Sequence, residues 1–411
     1  MKKLLGLGLS FSLITATAFA GGYKIPEQSL RSTATSGAYF SSSSSADSAY
    51  YNPANMSFMK DGWGLEVGLR YIVLPPIKFQ GLIYDRVSSS YVPLRASSSR
   101  ETFIVPYFHY VSPKVGNLRL GFSFTTPGGL SKSWEGSLAQ AYAKRFHLEI
   151  YETSLSASYL LTEHISVGGG LRAVFSRGEV EFAHPSGAYT VSMDGDTDIL
   201  PGYFLSVSIR PIPELTISTL YRSKVDLKIK GDAQGYLVLP GPTLYPFSTT
   251  GKVKVPLPAE WRLGASYRIG NTTLELTYER TFWSSYKRLN FDFNDSVVEG
   301  AFGTPQPKNW DDTNTYRLSL THNFGEKFTG MLGIAYDETP IPERTVGFEL
   351  PDSDGWILSL GGIYRPESNV EIGLAYLIFL KKDRNVNNTL IKGEFSDISA
   401  HMLTLSIAYG F

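Results

Sequence analysis

The last ten residues place the tightest constraint on what this chain can become. From Met402 to Phe411, Leu403, Leu405, Ile407, Tyr409 and Phe411 alternate without a break with Thr404, Ser406, Ala408 and Gly410. A period of two is a β-strand with one greasy face and one small, polar face. A soluble sandwich would give the same period, so the alternation alone leaves water or lipid outside. The aromatic final residue, the other segments and the amino-terminal stretch tip the expectation toward a membrane barrel.

That amino-terminal stretch has Lys2 and Lys3, an apolar run over 4–18 and the small-residue site Ala18-Phe19-Ala20. These are the charged, greasy and cleavable parts of a secretory signal over residues 1–20, so the mature chain is expected to start at Gly21. No second apolar run approaches the roughly 18 to 20 residues a membrane-spanning helix needs. Past the signal, the chain is an exported soluble protein or a barrel. Cysteine is absent, which removes disulfides, thiolate metal sites and thiol catalysis together. The 38 basic and 38 acidic residues cancel, so nothing argues for a nucleic-acid partner.

Residues 21–61 show no long periodic segment; they are rich in Ser and Ala, with a run from Ser41 to Ser45 and the tripeptide Asn52-Pro53-Ala54. Composition alone reads as a linker. Yet Tyr23, Ile25, Leu30, Tyr39, Phe40, Tyr50, Tyr51, Met56, Phe58 and Met59 are too many apolar anchors for a solvated tether. The better reading is a compact plug packed inside something.

From residue 62 to 411 the pattern changes to strands, and fourteen are expected: 62–73, 101–111, 117–126, 146–161, 164–182, 202–210, 214–230, 251–269, 272–293, 312–324, 327–336, 354–365, 369–382 and 402–411. Their connections alternate in length, tight at 112–116, 162–163, 211–213, 270–271, 325–326 and 366–368, and long between. Tight turns at one end and long loops at the other describe an even-stranded, antiparallel outer-membrane β-barrel with its turns in the periplasm. The faces agree. Trp261, Leu263, Ala265, Tyr267 and Ile269 oppose Arg262, Gly264, Ser266 and Arg268; Tyr316, Leu318, Leu320 and Phe324 oppose Arg317, Ser319, Thr321 and Asn323. A charge facing lipid at mid-depth costs roughly 2–4 kcal/mol, so these Arg residues, with Glu275 and Glu279, belong in the lumen. There they form a neutralised ladder that helps seat the plug.

Particular residues then resemble a known family, the long-chain fatty-acid outer-membrane transporters of the FadL/TodX type, which include importers of aromatic hydrocarbons. The matching pieces are Ala46-Asp47 with Tyr51-Asn52-Pro53-Ala54, Thr126-Pro127-Gly128-Gly129-Leu130 with Trp134-Glu135-Gly136, and Leu257-Pro258-Ala259 with Trp283-Ser284. Trp310-Asp311-Asp312-Thr313, Tyr316-Arg317, Ala335-Tyr336-Asp337, Pro340-Ile341-Pro342 and Pro351-Asp352-Ser353-Asp354 follow in order along the mature chain. The resemblance implies a barrel with an amino-terminal hatch in its lumen. A hydrophobic ligand would be caught in a groove between extracellular loops, pass to a tighter inner pocket, and leave sideways through a gap in the wall. Neither a nucleotide nor another cofactor is implied, and a monomer is expected.

Thr126 to Leu130 carries that gap by its own chemistry. Pro127 has no amide to give a ladder, and Gly128-Gly129 lets the backbone turn. Unpaired backbone in a membrane wall survives only against protein or a cavity. The third strand should therefore kink inward here; the plainer alternative is that it simply ends. Asn52-Pro53-Ala54 reads as a rigid turn whose Asn ties neighbouring backbone, or as a generic surface turn; by resemblance it is the hatch motif.

A fatty acid needs aromatic and aliphatic walls with one or two cations at an end. Arg177 matches a family position near the bound head group, with a lumen salt bridge as the alternative. Lys308 lies near a lysine of some relatives, and Gly21-Gly22-Tyr23 reaches the inner pocket in relatives. A neutral ligand would leave Arg177 structural and make the substrate hydrocarbon-like.

Enzymatic readings fare poorly. The six His stand singly, with no metal-ligand spacing. Asp194-Gly195-Asp196-Thr197-Asp198 has the oxygen density of a calcium loop but lacks the rest of a twelve-residue hand, and reads as a solvated turn. Ser319 and His322 are opposite in strand parity and cannot pair as a barrel lipase would need. The expectation is a hatched, fourteen-stranded outer-membrane barrel taking up long-chain fatty acids or related hydrophobes by facilitated diffusion. Aromatic-hydrocarbon import or a general porin are the alternatives, and a porin has no need of a plug.

Overall fold

The computed structural model describes residues 21–241 and 243–410, so the secretory signal expected over 1–20 lies outside the described residues. Fourteen antiparallel strands close into a barrel. In chain order they are β1 (Gly64–Leu74), β2 (Glu101–Val111), β3 (Leu118–Ser133), β4 (Arg145–Thr162), β5 (Ile165–Ala183), β6 (Leu200–Ile212) and β7 (Leu215–Arg222). Then follow β8 (Glu260–Ile269), β9 (Thr272–Thr281), β10 (Thr313–Phe324), β11 (Phe328–Asp337), β12 (Gly355–Tyr364), β13 (Val370–Lys381) and β14 (Ser399–Gly410). The last strand returns to the first, from Gly64 opposite Gly410 to Val73 opposite His401, so the sheet closes on itself.

Alternation fixes which face looks out. Along β14, Leu403, Leu405, Ile407 and Tyr409 are exposed while Thr404, Ser406 and Ala408 are buried. Trp261, Leu263 and Tyr267 repeat this on β8, and Tyr316, Leu318 and Leu320 on β10. A continuous apolar band of this extent has no stable place in water. Near the long-loop end the band carries an aromatic row, Tyr203, Tyr221, Trp261, Tyr278, Tyr316, Tyr336 and Trp356. Neighbouring ring centroids stand 6.2 Å apart for Tyr203 and Tyr221, 5.8 Å for Trp261 and Tyr278, and 5.1 Å for Tyr336 and Trp356. Such a girdle marks the membrane interface.

Three expected strands over-run the barrel. The stretches 214–230, 251–269 and 272–293 each break at the rim, after Arg222, at Pro258-Ala259 and at Phe282. Beyond the breaks, Val225–Leu239, Thr243–Leu257 and Phe291–Phe293 join Tyr189–Asp196 in a sheet that prolongs upper β5 above the membrane band. The period persists because Leu227, Ile229, Val253 and Val255 still bury one face, now against loops rather than lumen. The acidic stretch expected as a solvated turn is likewise a correction. Asp194 and Asp196 lie within the extended segment Tyr189–Asp196, where a chain cannot wrap an ion. A second extracellular sheet pairs Lys78–Asp85 with Ser90–Ser97 and Ile391–Ser396.

Residues 21–61 fold into three short helices, Leu30–Ala34, Ser48–Tyr51 and Pro53–Met56, within the cylinder. Their contacts run round the wall. Leu30 packs where a Cβ on Gly373 of β13 would lie 1.9 Å from its Cδ2. On the far side, Glu275 of β9 accepts the amides of Phe40, Ser41 and Ser42 at 2.6, 2.8 and 2.8 Å. Arg317 of β10 donates to Ser36 O at 2.7 Å, and Arg70 of β1 to Glu27 O at 2.7 Å. Lys24 lies between Glu260 and Glu279, itself paired with Arg262 at 2.9 Å. Buried charge is tolerable in the Lys24, Glu260, Glu279 and Arg262 cluster because opposite charges adjoin, while Arg70 and Glu275 are met by plug backbone. Arg268, expected inside with these, is exposed near the turn end of β8.

Candidate transport path

The seam between β2 and β3 differs from every other in the wall. The two strands pair only where 108–111 meets 121–124, although β2 stays paired with β1 along its whole length. From Thr125 onward β3 leaves its neighbour and turns into the lumen, where Thr126, Pro127, Gly128 and Gly129 are all buried. Its register on β4 also slips between Thr125 and Gly128. The cause is local: Pro127 lacks the amide that a ladder to β2 would use, and glycines permit the bend.

Backbone groups released by the kink need partners, since lipid offers none. The hatch supplies them. Ile25 N donates to Pro127 O at 2.9 Å, and Gly129 N to Tyr23 O at 2.9 Å. Gln28 grips Thr126 from both sides, donating from Nε2 to its oxygen at 2.8 Å and accepting its amide on Oε1 at 2.9 Å. Residues 23–28 thus stand in for the missing strand. Further out, Ser99 N reaches Ser133 O at 2.9 Å, and Glu101 takes the Ser131 hydroxyl, closing the seam above. What remains between the two strands is an unpaired stretch, bounded below by the Phe108 and Phe124 pair.

Beside the kinked part of β3 lies an apolar cavity. Tyr23 and Leu130 line it beside Leu148, Ile229, Val253 and Phe291. Four rings interlock at its side: Tyr23 with Trp283 at 4.8 Å, Trp283 with Trp310 at 5.0 Å, and Trp310 with Tyr286 at 4.8 Å. Gly22, at φ +77°, leaves room for the Trp283 ring, which a Cβ would meet at 2.6 Å. The Gly21 nitrogen is held by Asp337 and that of Gly22 by Asp352 at 3.1 Å. Of the amino-terminal trio, then, Tyr23 faces the cavity while Gly21 and Gly22 fasten it.

Charge enters the cavity at one rim. Lys308 lines it, buried, with its ammonium on Glu349, and Thr345 Oγ1 fixes the Lys308 carbonyl at 2.8 Å. His147 is also there, bonded to Glu149 at 2.8 Å. Arg177 is not. Arg172, Val174 and Ser176 are buried, so Arg177 falls on the opposite, exposed side of β5, across from Glu149 and Asp196. The head-group position expected of it is corrected by parity: Gly178, not Arg177, lines the cavity. Glu349, His147, Trp283 and Trp310 were missed as site residues. For Trp310 the available signal was a tryptophan in an expected loop, whereas Trp283 fell within the expected strand 272–293.

Lys308, Glu349, Phe146 and Phe291 also line a groove that opens between the long loops beside Tyr142, Phe302 and Leu390. The groove and the cavity therefore share these side chains as a common wall. One groove wall is the helix Ser296–Phe302, capped by Asp295, whose carboxylate accepts the Val297 and Val298 amides at 2.9 and 3.0 Å. The Val298 amide first, then the Tyr245 hydroxyl, holds that carboxyl below the usual carboxylate range.

Asn52-Pro53-Ala54 packs against β5 and β6. Asn52 Nδ2 donates to Ser208 Oγ at 3.0 Å, Ala54 N to Ser206 Oγ at 3.0 Å, and Ser166 Oγ to Ala54 O at 2.7 Å. Pro53 opens the helix Pro53–Met56 at the position where a missing amide costs nothing. Among the described residues no group of His, Asp and Glu is arranged to hold a metal ion.

The sequence profile of the outer membrane protein transport protein family (OMPP1/FadL/TodX) matches residues 11–411. A long-chain fatty acid transport protein of Salmonella typhi is 26% identical over 90% of both chains, and outer membrane protein P1 of Haemophilus influenzae 24% identical over 92% of this chain and 90% of that one. A solved Pseudomonas aeruginosa FadL homologue superposes with a TM-score of 0.81 at 18% identity, over 94% of this chain and 99% of that one. The Pseudomonas putida toluene transporter TodX gives 0.70 at 17%, over 93% and 97%. The chain belongs to the OMPP1/FadL/TodX family of outer membrane transport proteins.

Proposed function

We propose that this protein takes up long-chain fatty acids by facilitated diffusion, from loop groove to inner cavity to lateral window. The observation that carries the reading is the unpaired β2–β3 seam opening beside an apolar cavity while the lumen beneath is filled by the hatch. A ligand in that cavity has lipid on one side and a packed, hydrogen-bonded plug below it. An apolar molecule gains by leaving sideways, since each buried methylene is worth about 0.8 kcal/mol in hydrocarbon over water. Thr126, Pro127, Gly128 and Gly129 shape the exit, and Tyr23 lies at the turn of the path. Asn52, Pro53 and Ala54 keep the axial route shut. Lys308, at the junction of groove and cavity, meets the carboxylate. The relatives named for fatty-acid transport support this substrate class.

A second reading, import of aromatic hydrocarbons, is favoured by the interlocked Tyr23, Trp283, Tyr286 and Trp310 rings and by the relatives named for toluene. A general porin is disfavoured by the plug. The deciding experiment is labelled-oleate uptake by cells carrying the protein or a variant with the Pro127 to Gly129 bulge replaced by regular strand residues. Uptake should fall to background in the variant while the barrel remains folded. Equal uptake by both would remove the sideways exit.

A further inference from the structure

The extracellular strands that wall the cavity with Ile229, Val253 and Val255 turn their other faces outward, and those faces are lysine-rich. Lys228 stands directly opposite Lys254, and Lys230 opposite Lys252. Like charges paired across a ladder destabilise it, so two successive such pairs call for something to offset them. Asp226 answers in part, bonded to Lys224 at 3.0 Å and Lys254 at 3.1 Å. Asp196 and Asp292 flank Lys230 and Lys252 in the cross-strand rows but make no ion pair with them. Among the described residues Lys228, Lys230, Lys252, Lys287 and Arg288 have no ion-pair partner, and all five are exposed.

Position says what fits there. Lys224 follows Tyr221 by three residues, and Tyr221 faces Trp261 in the aromatic row that tops the apolar band. Aromatic belts sit at head-group depth. The lysine grid therefore begins where the membrane's polar layer begins, on the outer side of the wall. Residues two apart on one strand are spaced about 7 Å and cross-strand partners about 5 Å, a mesh that suits phosphate oxyanions between ammonium groups. We propose that this face binds the phosphate-bearing head groups of outer-leaflet glycolipid, tethering lipid to the wall of the ligand cavity.

The test uses the full-length protein, delipidated in neutral detergent, and a K228Q/K230Q/K252Q variant. These substitutions leave the Lys254–Asp226 pair and the cavity lining untouched. Native mass spectrometry would titrate bis-phosphorylated lipid A, its dephosphorylated form and inorganic phosphate against both proteins. The expected result is that the variant binds the phosphorylated glycolipid at least about tenfold more weakly. Wild type and variant should bind the dephosphorylated form equally and weakly, and added salt should erase the difference. Three results would overturn the proposal: equal retention of phosphorylated glycolipid by both proteins, equally tight binding of the dephosphorylated form, or inorganic phosphate binding as tightly as the glycolipid. Oleate uptake by the variant separates this site from the transport reading, because the lysines lie outside the path.

Discussion

The amide of Ile25 donates to the carbonyl of Pro127 at 2.9 Å, so the plug completes the wall at the one place where the wall abandons its own neighbour. Ile25→Pro removes that donor and leaves a buried carbonyl short of its partner, a loss of about 1–3 kcal/mol. Hydrogen exchange should speed up over residues 23–28 while the ladder between β1 and β14 keeps its protection. Unchanged exchange in the hatch would mean the contact does not hold it.

Gly168 of β5 faces the hatch motif so closely that a Cβ would lie 2.4 Å from Ala54 N and 2.7 Å from Pro53 C. Backbone on both sides cannot yield, so Gly168→Val should unseat the motif at a cost of about 1–3 kcal/mol. Gly362→Ala is the control, because its nearest neighbour would be Thr329 O at 3.6 Å. Protease nicking within residues 21–61 should rise sharply in the first variant and stay at wild-type level in the second.

Much of this was legible because lipid and lumen act on side chains one at a time. Trp261 against Arg262, or Leu405 against Ser406, declares its face without knowledge of any partner. The kink was legible as well, since Pro127 and two glycines break a ladder wherever they stand. Strand ends were not: Leu227 and Ile229 keep their period past the rim because the cavity buries them just as the lumen would. Arg177 was misplaced through neglect of the same rule. Arg172, five residues earlier, faces inward, and an odd spacing on one strand cannot share a face. The Lys308–Glu349 pair joins two loops whose approach no local pattern encodes.

Above the membrane, Asp85 on the second extracellular sheet receives His184 Nε2 at 3.0 Å, linking that sheet to the end of β5. Burial opposes the carboxylate, but hydrogen bonds from Ser88, Val87 and His184 outweigh it and hold its pKa below the ordinary value. For an acid with a lowered folded value, the folded state binds fewer protons than the unfolded one. The link is thus fully present above the unfolded carboxylate range and is lost as pH falls through the folded value. Cleavage of the 85–90 turn by a protease active in acid should accelerate on descending below about pH 4. Asp85→Asn should flatten that dependence; a variant with the wild-type profile would rule the link out.

Lys308 decides between the two substrate readings because it is the buried ammonium shared by groove and cavity. Replacing it alone would strand Glu349 without its partner, and the resulting strain would confuse the outcome. The informative variant is Lys308→Met with Glu349→Gln, which removes both charges and roughly preserves shape. A charge-assisted hydrogen bond contributes about 1.5–3 kcal/mol, so oleate affinity should fall by roughly 10- to 150-fold. Toluene, which offers no acceptor, should enter as before. If oleate binds the double variant as tightly as wild type, the cation does not hold the head group. The rings of Trp283, Trp310 and Tyr286 would then be the recognition surface, and an uncharged aromatic ligand would become the better reading.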